Sequence, residues 1–78
     1  MRSEQNGRLP TWQAMLWNTF RVERIEARYA GAIRARLSTP RGPMTLNIPK
    51  RRSVAIFDQA RGEVALREWF CVKTGLVQ

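Results

Sequence analysis

Seventy-eight residues are enough for one small domain and no more, and such a domain buries only about 60% of the surface its unfolded chain exposes, so a partner or a second copy would add to its stability. With 44% hydrophobic and 26% charged residues the chain is too apolar for intrinsic disorder. Fourteen Lys and Arg stand against six Asp and Glu, and there is no histidine: the formal net charge of +8 attracts polyanions, while the usual general base, metal ligand and pH switch are all absent.

Other classes fall away on the same grounds. Cys71 is the single cysteine, so no internal disulfide is possible and a reducing, cytoplasmic compartment is expected. One Cys without His cannot make a zinc site of the familiar kinds. Glu4, Glu23, Glu26, Asp58, Glu63 and Glu68 each stand close to an arginine and read as surface ion pairs, not as a carboxylate dyad. Gly7, Gly31, Gly42, Gly62 and Gly75 are isolated, so no phosphate-cradling loop is present. The opening "MRSEQNGRLP" lacks the apolar stretch of a secretory signal, and no apolar run has the length of a membrane span. A non-enzymatic protein without metal or cofactor is expected.

Residues 1–9 are polar and mixed and read as a flexible N-terminus, leaving 10–78 as a single small α+β domain. Thr11 after Pro10 can cap a helix, and Trp12, Met15 and Leu16, continued by Thr19 or Phe20, form an apolar stripe at helical spacing. This predicts a short N-terminal helix whose tryptophans face the core.

The next stretch, "IEARYAGAIRARL" (residues 25–37), fits a helix or two strands. Gly31 favours the strands, because inside a helix it would cost about 1 kcal/mol, and Arg24 and Arg28 would repel at i,i+4. A three-residue loop Tyr29-Ala30-Gly31, with Gly31 left-handed in its last position, keeps Ile25 and Leu37 on one face. That register sets Arg28 opposite Ala32, Ala27 opposite Ile33, Glu26 opposite Arg34 and Arg24 opposite Arg36. Thr39-Pro40-Arg41-Gly42 suits a type I turn. Met44, Leu46 and Ile48 then alternate through a third strand, with Leu37 opposite Met44, Arg36 opposite Thr45 and Arg34 opposite Asn47. Pro43 and Pro49 bracket this strand, as an edge strand allows.

After "PKRRS", a helix is expected from about Asp58 to Thr74, with Val64, Ala65, Trp69 and Val72 on one broad face. Lys73-Thr74-Gly75-Leu76 reads as its C-terminus. An alternative makes "SVAIF" and "EVALREWF" a hairpin around "DQARG". The expected fold is thus α+β: a short N-terminal helix, a three-stranded antiparallel meander, and a C-terminal helix packed on one sheet face.

The alternation places Ile25, Ala27, Ile33, Ala35, Leu37, Met44, Leu46 and Ile48 in the core, with Leu46 central to it. Arg24, Arg28, Arg34 and Arg36 share the opposite face with Thr45, Asn47 and a single acid, Glu26. Arg41 stands at one turn and Lys50, Arg51 and Arg52 at the far end of the third strand. Arginine offers planar, bidentate hydrogen bonds to phosphate and stacks on bases. The eight residues Arg24, Arg28, Arg34, Arg36, Arg41, Lys50, Arg51 and Arg52 are therefore the candidate contacts to DNA or RNA. A charged sheet face also serves solubility and blocks edge pairing.

The order helix, three strands, helix resembles that of double-stranded-RNA-binding domains, and "KRRS" is similar to the basic start of that family's second helix. That family's loop pattern is missing from this chain, and membership is not implied. Three-stranded-sheet DNA readers with one packed helix share the same coarse arrangement. Likeness of order speaks to fold alone. The residues point to a small basic accessory or regulatory nucleic-acid-binding protein. The competing class is a phage- or mobile-element-encoded inhibitor or adaptor docking on an acidic protein surface or a nucleic-acid-processing complex. Self-association is compatible with either, and no membrane partner is expected.

Overall fold

The computed structural model describes residues 16–77. Its elements are β1 (Trp17–Arg28), β2 (Ala32–Thr39), β3 (Gly42–Pro49), β4 (Ala55–Asp58), β5 (Glu63–Arg67) and α1 (Glu68–Thr74). The strands form one antiparallel sheet in the order β3-β2-β1-β5-β4.

This overturns the expected order of helix, three-stranded meander and long helix. Trp17–Phe20 are strand because β5 pairs with them, Trp17 opposite Arg67 through Phe20 opposite Val64. Residues 10–15, the first part of the expected N-terminal helix, lie outside the described residues, as does the stretch 1–9. Most of the expected C-terminal helix is the hairpin of the alternative reading: β4 and β5 pair from Ala55 opposite Leu66 to Asp58 opposite Glu63. The Asp58 carboxylate accepts the Arg61 N–H at 3.2 Å, and Gly62 leaves the loop at φ +64°, a left-handed conformation that glycine adopts without strain. Val64 and Leu66 are fully buried while Glu63, Ala65 and Arg67 are half-buried on the other face, so this stretch obeys a period of two. With Trp17–Phe20 in a strand and five strands where three were expected, the likeness in order to double-stranded-RNA-binding domains does not hold among the described residues.

The expected helix end is present on a helix of only seven residues. Gly75 sits at φ +82°, and the Leu76 N–H closes on the Cys71 carbonyl at 2.9 Å. Cys71 is fully buried on this helix.

The β2–β3 hairpin has the expected register, with Leu37 opposite Met44, Arg36 opposite Thr45 and Arg34 opposite Asn47. The Arg41 N–H donates to the Thr39 hydroxyl, which donates in turn to the Gly42 carbonyl at 2.6 Å, fixing the turn. Pro43 and Pro49 fall on the edge strand β3. The β1–β2 loop is Tyr29–Gly31 as expected, but the left-handed glycines are Gly42, Gly62 and Gly75, not Gly31.

Its register also differs. Arg24 faces Arg36 and Ile25 faces Ala35, yet Ala27 faces Arg34 and Arg28 faces Ile33. β1 carries one extra residue between Val22 and Arg24 and another between Ile25 and Ala27. These bulges at Glu23 and Glu26 bend the strand.

The bend is required by chain connectivity. β1 pairs with β5 over Trp17–Arg21 and with β2 over Arg21–Arg28, so it runs through two offset three-stranded sheets. Laid flat, the end of β3 and the start of β4 would be separated by about 19 Å across the strands and roughly 30 Å along them. The six peptide steps from Pro49 to Ala55 span at most about 22 Å, and two hydrogen bonds to the Arg51 carbonyl tighten them further. The two sheets must therefore fold toward each other about β1, the arrangement in which a bulged corner strand serves both.

The core lies in that fold. Ile33, Ala35, Leu37 and Ile48 come from one sheet, Phe20, Ala55, Val64 and Leu66 from the other, and Val54, Phe70, Cys71 and Leu76 close it. Ile25, Met44 and Leu46 are only partly buried against it, and Ala27 opposite Arg34 is directed away from it, so the core is centred on Leu37, Ile48, Leu66 and Leu76 and not on Leu46. Among the described residues no helix is long and apolar enough to cross a membrane.

Candidate nucleic-acid interface

The face of the β1–β2–β3 sheet turned away from the core carries Arg21 and Arg24 from β1, Arg34, Arg36 and Ser38 from β2, and Thr45 and Asn47 from β3. Strand periodicity accounts for this, since Ile33, Ala35 and Leu37 alternate with Arg34, Arg36 and Ser38. Arg24, Arg34 and Arg36 stand where the sequence predicts. Arg28 does not: the bulge at Glu26 reverses its side, so it sits opposite buried Ile33 and leaves the arginine face. Arg21 takes a place there, although the sequence reading did not include it; it is exposed and opposite Ser38.

The face is also less basic than expected. Glu23, placed in a bulge opposite Arg36, joins Glu26 as a second acid. Its carboxylate accepts from Arg36 Nε at 3.0 Å and from Ser38 Oγ at 2.5 Å. The Ser38 bond first, then the Arg36 bond, holds this carboxyl below the usual glutamate range. Arg24 donates to Glu26 at 2.9 Å, and that bond likewise depresses the Glu26 carboxyl. Arg34 Nη1 reaches Asn47 Oδ1 at 3.4 Å.

Arg41 is at the β2–β3 turn, as expected, but its guanidinium donates to the Gly75 carbonyl at 3.3 Å and ties the turn to the chain beyond α1. Lys50, Arg51 and Arg52 are exposed on the β3–β4 connection. Lys50 donates its backbone N–H to the Gly31 carbonyl at 3.0 Å, which sets this basic run beside the β1–β2 loop and the end of β1.

The candidate cations therefore divide in two. Arg24, Arg34, Arg36 and Arg41 have their guanidinium groups engaged within the protein, Arg34 by the long bond to Asn47 alone. Among the described residues, the side chains of Arg21, Arg28, Lys50, Arg51 and Arg52 make no hydrogen bond or ion pair. A further aromatic contact lies on the outer face of the other sheet, where the Arg67 guanidinium stacks over the Trp17 ring at 4.2 Å. No group of three or more His, Cys, Asp or Glu able to hold a metal ion occurs among the described residues.

The bulges could have been read from the sequence. Val22 and Ile25 are both apolar and three apart, which an uninterrupted strand cannot place on one face. Comparison with known proteins found no matching family model, no matching curated protein and no matching solved structure.

Proposed function

We propose that the protein is a small non-enzymatic nucleic-acid-binding accessory protein. On this reading Lys50, Arg51 and Arg52, with Arg21 and Arg34 on the sheet face, contact phosphates, and Arg24 and Arg36 exchange glutamate for phosphate when the ligand arrives. The observation that carries it is the run of three exposed cations on the β3–β4 connection without an acidic partner among the described residues, next to an arginine-bearing face that α1 leaves uncovered. A net charge of +8 on so short a chain adds a long-range attraction for polyanions.

The test is fluorescence anisotropy with labelled single- and double-stranded DNA and RNA at two or more salt concentrations. If five phosphates of a DNA duplex are neutralised, log K falls against log salt with a slope of about −4.5. Replacing Lys50, Arg51 and Arg52 together by Ala should flatten the slope by up to about 2.7. The double change R34A/R36A flattens it by less, since Arg36 already has Glu23 as counter-charge. Absence of binding to all four probes at low salt overturns the proposal.

A second reading, an inhibitor or adaptor that docks on another protein, is favoured by Trp69 and Val72. Both are about half exposed and lie three residues apart on α1. A pull-down in which W69A loses a partner that the Lys50–Arg52 triple variant keeps would put this reading first.

A further inference from the structure

β1 outruns one of its partners. β5 pairs with it only to Arg21 opposite Glu63, and the last bond between them runs from the Val22 N–H to the Gly62 carbonyl at 2.8 Å. β1 continues to Arg28 with β2 on its other side alone. Among the described residues the stretch 23–28 therefore has an unpaired edge, and beside that edge lies a groove of about 410 Å³. Its lining includes Val22, Ile25, Ile33 and Phe57, with Asp58 and Glu63 toward one end and Arg28 at the other.

We infer that this groove accepts an extended peptide segment of another protein, added as a strand to the open edge of β1 at residues 23–28. Main-chain hydrogen bonds to an exposed edge supply affinity in such additions, and pockets for alternate side chains supply selectivity. Ile25, Ile33 and Phe57 offer the apolar floor for the inward-facing residues of the segment. Charge sets its ends. Arg28 has no ion pair among the described residues and calls for a carboxylate, while Glu63 at the other end calls for a lysine or arginine, Asp58 beside it being paired already with Arg61 at 3.8 Å. The run from Glu23 to Arg28 matches a segment of about six residues, roughly 20 Å of extended chain. A second copy of the protein suits the groove poorly, because two chains of charge +8 repel. An acidic partner protein presenting such a segment does not carry that penalty. The inference does not rest on nucleic-acid binding: of its candidate contacts Arg21, Arg34, Arg36 and Lys50–Arg52 lie outside the groove, and Arg24 alone lines it.

The experiment uses the full-length protein, labelled with ¹⁵N, and two synthetic capped peptides, KTVTVTE and its charge-exchanged counterpart ETVTVTK. Amide spectra recorded during titration should show shifts at residues 22–28 and 57–63 on addition of the peptides, and the amides of 23–28 that point away from β2 should gain protection from hydrogen exchange. In the free protein those amides should exchange faster than the amides of β2. The R28E variant should weaken binding of the peptide whose carboxylate meets Arg28 by about three- to fivefold, the size of one exposed ion pair, and strengthen the binding of any peptide that brings lysine there. Should R28E lose its dispersed spectrum, R28A replaces it, with loss of affinity alone expected. Peptide shifts confined to the Lys50–Arg52 run or the arginine face, or no shifts with either peptide at millimolar concentration, would overturn the inference. Protection, before any peptide is added, of those 23–28 amides that point away from β2 would do the same, since the edge would already be occupied by the chain itself or by a second copy.

Discussion

The two ends of the core are built differently. At the α1 end, Val64, Leu66, Cys71 and Leu76 are essentially inaccessible, sealed by the helix and by the turn after it, which Arg41 ties to the β2–β3 hairpin. At the other end no helix lies over the strands among the described residues; Ile25, Phe57 and Leu46 are only half-buried, and Arg28 stands at the rim. A helix of seven residues closes one end of a folded-over sheet and leaves the other open. The same strand, β1, is thus a structural member at its start and an exposed edge at its finish.

The contrast is sharpest in the cost of core truncation. Leu66→Ala should destabilise by about 3–5 kcal/mol, the upper part of the range for buried Leu, which is much of the stability available to so small a domain. Leu46→Ala, half-buried on an edge strand, should cost only about 1–1.5 kcal/mol, near half the transfer value of a fully buried Leu. Urea denaturation of the two variants measures both, and equal costs would erase the distinction between the ends.

Cys71 tests the closed end. Burial pushes its thiol up from the ordinary value, and its Sγ lies 3.8 Å from the Leu66 carbonyl. Cys71→Ser should cost about 1–3 kcal/mol by placing a hydroxyl in an apolar site, and a thiol reagent should label the native protein far more slowly than the unfolded chain. Labelling of the native protein at the unfolded rate would show the helix end to be open.

Glycines separate the two hairpin loops that flank the groove. Gly62→Ala should cost about 1 kcal/mol, because an L-residue is strained at φ +64°. Gly31→Ala, at a position outside the left-handed region and with open space around an added Cβ, should change stability by no more than about 0.5 kcal/mol. Thermal melts of the pair are the measurement.

The smallest effect concerns the arginine face. Because the folded state depresses the Glu23 and Glu26 carboxyls, their contribution to stability is present above the ordinary glutamate value of about 4.3 and is lost as pH falls through their lowered folded values. Glu23→Gln should reduce the loss of stability in acid. By releasing Arg36 it should also strengthen nucleic-acid binding and steepen the salt slope by about 0.9. An unchanged slope would mean that Arg36 takes no part in binding.

How legible this was in the sequence varies along the chain. The β2–β3 register could be read because Pro40 and Gly42 mark the turn and strict alternation fixes the faces on both sides. The helix end could be read from Lys73, Thr74 and Gly75. Residues 63–67 could not, since Val64, Ala65 and Trp69 satisfy a helical spacing as well as Val64 and Leu66 satisfy a strand, and only pairing with Phe20 and Asn18, far away in sequence, decides between them. The same remote pairing makes strand of Trp17–Phe20. For the candidate site, three of the four predicted sheet-face arginines are on the face; Arg28 was misplaced because one inserted residue changes the side of everything after it.

The pairing of β1 with β5 has a kinetic consequence. Asn18 and Glu68, joined by a 2.6 Å hydrogen bond, are fifty residues apart, whereas β2 and β3 are joined by a turn of two. Closing the long loop is entropically expensive and must precede the contacts that reward it. The β2–β3 hairpin is then the natural first structure, and docking of Glu63–Arg67 onto Trp17–Arg21 the late, rate-limiting event. Folding should fall in the millisecond-to-second range of non-local β topologies. Substitutions on β5 should chiefly speed unfolding, while those in the β2–β3 turn should slow folding.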